Sequence, residues 1–381
     1  MGENIKNNKY ERSAAFLFVL FLFIQVFNTV LKDMVKNPFI DNYLTIILGL
    51  VYLIGFIFSL KNIRKAVPII IILESVFGLL LLISLMVNLQ YSSQIISRCI
   101  WTLAFCIPLF AIFLGVTDFE NILNKSRISV FFISFLALFP VIKYISSNSY
   151  EYDMTLGYYL LYSLILSFIS IGKNLVYLLI FIIDFAFIII IGSRGPMLCF
   201  SIFFLLYLLF YNNSNPKTRF FKAVLLILLI AFVLFSDHLL AVFNKYGIYS
   251  RNLNKIISGS LLSDSGRSEI YDLTISRIED NALFGIGVGG ELSYMKSYPH
   301  NIFLELLLHY GLFAGGLICL IILVATAKSL YISRFNCSFE VVLLCSGFIP
   351  LLLSGTYLQS PLCWVFMAVA LVICKRGWRR C

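Results

Sequence analysis

The residues best suited to chemistry lie in the second half of the chain, and most of them would act on an anion. Gly192-Ser193-Arg194-Gly195-Pro196 sets a guanidinium, which grips phosphate through paired N–H groups, beside a proline suited to the first residue of a helix. The free N–H groups and positive dipole end of that helix would add to an anion site; the same residues also make a plain hairpin whose arginine reaches for water. Residues 267–279 read as an amphipathic helix, with Ser268, Glu269, Asp272, Ser276 and Glu279 on one face and Ile270, Tyr271, Ile275 and Ile278 on the other. Arg267 falls on the apolar face, where it holds an anion, snorkels to water or pairs with a nearby carboxylate.

Pro299-His300-Asn301 closes the polar stretch, and Asn301, Glu305 and His309 then follow at i, i+4 and i+8 on an otherwise apolar helix. Such a stripe must face a bundle interior or a wet cavity. His300 could serve as a base, as a donor to phosphate or as a cap. Glu305 and His309 supply one i, i+4 pair without a third ligand, so neither a metal nor another cofactor is expected. Gly285-Ile286-Gly287-Val288-Gly289-Gly290 formally fits the dinucleotide spacing. It follows no strand and lacks the acidic partner, so it reads as a flexible turn. Glu74 and Asp184 are carboxylates inside apolar runs, each costing about 2.5–3.5 kcal/mol unless paired internally. Asp237-His238 stands at the end of another such run.

The elements that position these residues are membrane spans. The chain is 60% hydrophobic and only 13% charged, where a soluble domain has about 25% charged residues, so an ordinary soluble enzyme is excluded. Apolar runs near 14–31, 40–60, 66–88, 100–116, 128–146, 157–172, 175–192, 196–211, 223–243, 301–327, 339–355 and 360–374 predict about twelve transmembrane helices. Residues 1–13 are polar and lead straight into the first run with no small-residue cleavage site, the pattern of an uncleaved signal anchor. The net charge of +10 is spread over short loops, which makes it a topology signal and gives no reason to expect nucleic acid. With the N-terminus inside, 18 of the 29 Lys and Arg fall in inner loops. Both termini are then cytoplasmic and the long polar loop lies outside. None of the nine cysteines is in that loop and no Cys-x-x-Cys pair occurs, which argues against a disulfide framework or a zinc site. The organisation expected is all-α and polytopic: nine helices over 1–243, one long outer loop over 244–300 with a short amphipathic helix, and three helices with a cytoplasmic tail over 301–381.

In this order, Gly192-Ser193-Arg194-Gly195, then Ser265-Gly266-Arg267 opening a helix, then Leu283-Phe284-Gly285-Ile286-Gly287, then His300-Asn301-Ile302-Phe303-Leu304-Glu305 with Gly311, the chain resembles the O-antigen polymerase and O-antigen ligase superfamily. The resemblance covers roughly residues 190–316. It implies a GT-C-like integral membrane glycosyltransferase of the bacterial cytoplasmic (inner) membrane, which takes glycan from undecaprenyl pyrophosphate at the outer face with inversion and without a metal ion. It also implies that Arg194 and Arg267 hold the pyrophosphate and that His300 stands at the acceptor hydroxyl or donor phosphate. Ser193, Gly195, Tyr271, Arg277, Asn301 and Glu305 are then the candidate substrate-binding residues. Within that family, the abundance of Phe, Tyr, Ile and Asn, as in an AT-rich surface-polysaccharide cluster, leans toward a polymerase working with a chain-length regulator and a flippase. A ligase, which transfers polymer to lipid A–core, is the alternative. A lipid-sugar flippase or other transporter would also have twelve spans, yet transporters place polar sites near the midplane between repeated halves, whereas these candidates cluster at one surface. Reporter fusions test the sidedness: those after Asn213 and Lys375 should report cytoplasm, and those after Ser149 and Ser263 the outer side.

Overall fold

In a computed structural model the described residues are 2–35, 38–147, 154–191, 194–210, 267–295 and 297–376, with isolated positions 241, 245 and 257. Every regular element among them is a helix: α1 Gly2–Val35, α2 Pro38–Ile63, α3 Val67–Val87, α4 Leu89–Phe113, α5 Phe119–Ser126, α6 Ile128–Ser147, α7 Met154–Ser170, α8 Val176–Ile191, α9 Arg194–Phe210, α10 Arg267–Asp280, α11 Ile302–Ser333, α12 Ser338–Leu353 and α13 Pro361–Arg376. Among the described residues, six segments are by length and composition apolar enough to cross a membrane: Asn8–Val35, Tyr43–Ile63, Val67–Val87, Leu89–Phe113, Phe119–Ile145 and Ile302–Ser333, the last of them interrupted at Gly311. Shorter apolar helices accompany them, so the chain is a multi-pass helical membrane protein. The ninth expected span, 223–243, with Asp237-His238, lies outside the described residues.

The chain forms two compact units, Met1–Phe21 with Gly49–Ser126 and Asp264–Cys381, and Leu22–Leu48 with Arg127–Ser263. The second packs α7, α8 and α9 around Phe168, whose ring meets those of Phe181, Phe203 and Tyr207. Asp184 is fully buried there, near the hydroxyls of Ser134 and Ser163, which lie 3.4 Å from one another. The first unit is cored by Phe18, Phe113, Phe119 and Phe339. Wide turns interrupt two of its helices, at Thr102–Cys106 in α4 and Leu344–Phe348 in α12. At the first, the Thr102 hydroxyl donates to Leu358 O at 2.7 Å and ties α4 to the turn between α12 and α13. Glu74 is half-buried on α3.

One expected span takes a different course. The run 301–327 reads as one straight helix, but α11 is broken at Gly311, which has φ 75° and ψ 178°. A straight helix would set Phe303 and Cys319, sixteen residues apart, about 24 Å from one another. Cys319 Sγ instead lies 3.9 Å from Phe303 O. A methyl group on Gly315 would strike Leu306 O and Leu307 Cα. The contacting pairs 303/319 and 307/315 are both centred on residue 311, so the chain reverses there. A first arm, 302–310, folds back against a second arm, 312–333. Sequence periodicity missed this because both arms are apolar and only one glycine separates them.

Gly311 adopts a conformation open essentially to glycine alone, and a side chain there would also strike Leu283 O. Gly311→Ala should therefore markedly lower the unfolding temperature in detergent. Gly316→Ala, where the added methyl meets only Leu307 Cδ2 at 4.0 Å, should leave it nearly unchanged, within about 0.5 kcal/mol of stability.

Candidate functional site

The reversal at Gly311 takes the carbonyls of Leu308 and His309 out of the normal helical ladder, and the glycine-rich turn fills the gap. Ile286 N donates to Leu308 O at 2.9 Å and Gly287 N to His309 O at 3.2 Å. The other side of the turn is held by α3, with Ser84 Oγ donating to Val288 O at 2.7 Å and Asn88 Nδ2 to Ile286 O at 3.3 Å. Gly285, Gly287 and Gly289 all have positive φ, which accounts for the alternating glycines. The turn expected to be flexible is thus a hydrogen-bonded clasp between α3 and the first arm.

Directly after the clasp comes Glu291, fully buried. Its Oε1 accepts from Arg98 Nη1 at 2.6 Å, and its Oε2 lies 2.8 Å from His309 Nε2. Burial by itself would raise the pKa of Glu291, but the His309 and Arg98 charges outweigh that and hold it below the usual value, so it is ionised. An ionised carboxylate only accepts, so His309 Nε2 carries the hydrogen. The other ring nitrogen meets the Tyr357 hydroxyl at 2.9 Å, which in turn meets that of Tyr310 at 2.9 Å. Next to this chain Glu305, also fully buried, accepts from the Thr356 hydroxyl and from Tyr357 N, the latter at 3.2 Å. The polar stripe expected on this helix does face inward at Glu305 and His309, and their partners come from the clasp with Glu291 and from the α12–α13 turn.

His300 stands at the open end of the first arm. Its backbone is left-handed, φ 57°, because Asn301 must turn into the helix, where Asn301 Oδ1 caps Phe303 N at 2.9 Å and Leu304 N at 3.4 Å. The ring of His300 lies between hydroxyls, Ser297 Oγ 3.2 Å from Nε2 and Ser354 Oγ 3.4 Å from Nδ1, with the Tyr298 ring centred 4.5 Å away. Burial, and then the charge of Arg267, lower its pKa to about 4. The ring is therefore neutral at pH 7 and able to accept a proton.

Arg267 is half-buried at the start of α10, and its charge is felt at His300. The buried line of α10 runs through Thr274 and Ile278, with Tyr271 half-buried; Ile275, expected inside, is 44% exposed because it sits at the edge of that line. Arg277 is at the other end of the helix, over the Tyr294 ring at 5.3 Å and 3.5 Å from Asp280. Arg194 opens α9 in the other unit; Gly195 behind it leaves room for the Tyr158 hydroxyl, and Pro196 is buried as the third helical residue, not the first. Gly192, Ser193, Ser265 and Gly266 lie outside the described residues.

Residues 179–321 match a family model described as O-antigen ligase. The match supports the O-antigen polymerase and ligase superfamily. It takes in Arg194, Arg267, His300 and the reversal at Gly311, and it is consistent with a glycosyltransferase-like membrane enzyme of O-antigen and lipopolysaccharide biosynthesis. No curated protein matches the chain.

Sequence reasoning passed over Arg98, Glu291, Ser354, Thr356 and Tyr357. The available signal was Arg98 at the mouth of a span and an acid directly after a glycine run, each innocuous by itself. Removing the central carboxylate should expose their dependence: Glu291→Ala leaves Arg98 and His309 without a counter-charge and should destabilise the folded protein by about 3–5 kcal/mol. Thermal unfolding in detergent checks this, with the exposed Glu279→Ala as the neutral control.

Proposed function

We propose that the chain is an O-antigen polymerase, joining undecaprenyl-pyrophosphate-linked repeat units at the outer face of the bacterial cytoplasmic membrane by inverting, metal-independent transfer. The observation that carries the reading is His300, held between the Ser297 and Ser354 hydroxyls at the start of the first arm and within reach of the Arg267 charge, inside the segment that matches the family model. In the reaction, the acceptor hydroxyl oxygen attacks the anomeric carbon, the bond from that carbon to the pyrophosphate oxygen breaks, and the hydroxyl proton passes to His300. Arg267 stabilises the charge growing on the departing pyrophosphate. Bound pyrophosphate also balances the Arg267 charge that depresses His300, which makes the imidazole a better base once donor is present. Asn301 and Glu305 act by fixing the arm that carries His300. The description of the matched family favours the ligase as second reading, which keeps donor and chemistry and changes the acceptor to lipid A–core.

Loss of the gene distinguishes the two: a polymerase mutant displays core bearing single repeat units, whereas a ligase mutant leaves bare core and polymer on the lipid carrier. Arg267→Ala, Arg194→Ala and His300→Ala should each cut product by about 10²-fold or more with the protein still in the membrane. Because the His300 pKa lies near 4, lowering the pH should leave the free enzyme's kcat/KM flat through the ordinary histidine range, about pH 7 down to 5.5, and reduce it only below. An acid limb centred near pH 6.5, absent in His300→Ala, would contradict the placement of His300.

A further inference from the structure

The segment between α10 and the first arm is mostly covered, Val288, Gly290 and Glu291 being buried, yet two of its side chains stand out: Leu283 is 61% and Phe284 87% exposed. Beside them, at the start of the second arm, Leu312 is 49% and Phe313 75% exposed. These four side chains move as one surface. Leu312 N donates to Ala282 O at 2.7 Å, which joins the two segments, and Gly285 N to Asn281 O at 2.9 Å, which closes the turn that carries Leu283 and Phe284.

Two observations identify what covers this surface. It is continuous with an outward stripe on the second arm, where Phe313, Leu317, Leu320, Ile321 and Val324 follow at i, i+4, i+7, i+8 and i+11 and are all exposed, as on a helix facing lipid. The second length is that of the arm itself. From Leu312 to Ala327, before Lys328, it has sixteen residues, which rise about 24 Å against a hydrocarbon thickness of about 30 Å. The apolar stretch is thus shorter than the layer is thick, so with Lys328 at one surface its first turn, Leu312 and Phe313 included, falls within the apolar layer.

We propose that Leu283, Phe284, Leu312 and Phe313 insert together among the acyl chains of the bilayer, as a wedge that ties the clasp and the segment leading to His300 to the membrane. The wedge is a lipid-binding surface on a loop, apart from the site that would handle a glycan, and it does not rest on the polymerase reading. Its consequence for that reading is geometric: the clasp, held to α3 on one side and to lipid on the other, keeps the first arm at a fixed depth beside the bilayer.

The test uses the full chain in phosphatidylcholine vesicles, with tryptophan placed at the wedge by Phe284→Trp or Phe313→Trp and on the exposed polar face of α10 by Glu279→Trp as a control. Emission added over the parent protein is measured with acyl-brominated phosphatidylcholine and, separately, with aqueous iodide. Both wedge variants should emit at blue-shifted wavelength, lose most of the added intensity to brominated lipid and little to iodide, and the control should do the reverse. Quenching of the wedge tryptophans by iodide alone would place the loop in water and overturn the proposal. Insensitivity to both quenchers would mean that protein, such as a second copy of the chain, covers the surface, and would overturn it equally. Phe284 is so exposed that its replacement leaves the packing intact, and a native unfolding temperature confirms that each variant reports on the folded chain.

Discussion

The reversal of the chain at Gly311 is the constraint on which the candidate site depends. One residue without a side chain, at φ 75° and ψ 178°, lets two helical arms approach closely enough that Gly315 meets the backbone of Leu306 and Leu307. That same break leaves the Leu308 and His309 carbonyls in need of donors, since a buried backbone acceptor left unpaired is costly. The clasp supplies them through Ile286 N and Gly287 N. Once docked, it delivers Glu291 to His309 and Arg98, and the arm presents His300 at its free end.

Burying Glu291, His309 and Glu305 together, with Arg98 partly buried beside them, is not an economical way to stabilise a protein, because desolvation offsets much of the Coulomb attraction. What such a group provides is uniqueness: a shift of one helical residue in the first arm would strand Glu305 from Thr356 and His309 from Tyr357. Four segments distant in sequence converge there, α4, the clasp, the first arm and the α12–α13 turn. The α12–α13 turn also gives Ser354 to His300, so the charged group and the candidate base share one support.

Much of this was legible in the sequence, and the limits have physical causes. Apolar runs of spanning length announce helices because a bilayer leaves the backbone no other partner, and the described helices follow those runs. The inward stripe of Glu305 and His309 followed from helical spacing. The reversal did not, because a lone glycine in an apolar helix is common and nothing local reveals its φ. The buried ion group escaped for another reason: Arg98 and Glu291 are 193 residues apart, and each looks like a surface charge until the fold brings them together.

The central claim is that the chain turns back on itself at Gly311, and a cross-link measures it most directly. In a chain whose other cysteines are replaced by serine or alanine, Phe303→Cys is paired with the native Cys319 and treated with a short bifunctional thiol reagent, and the linked peptides are read by mass spectrometry. The folded-back arms predict efficient linkage within one chain, since Cys319 Sγ lies 3.9 Å from Phe303 O. A continuous helix would hold the two positions about 24 Å apart, and failure of the pair to link in natively folded protein would contradict the account.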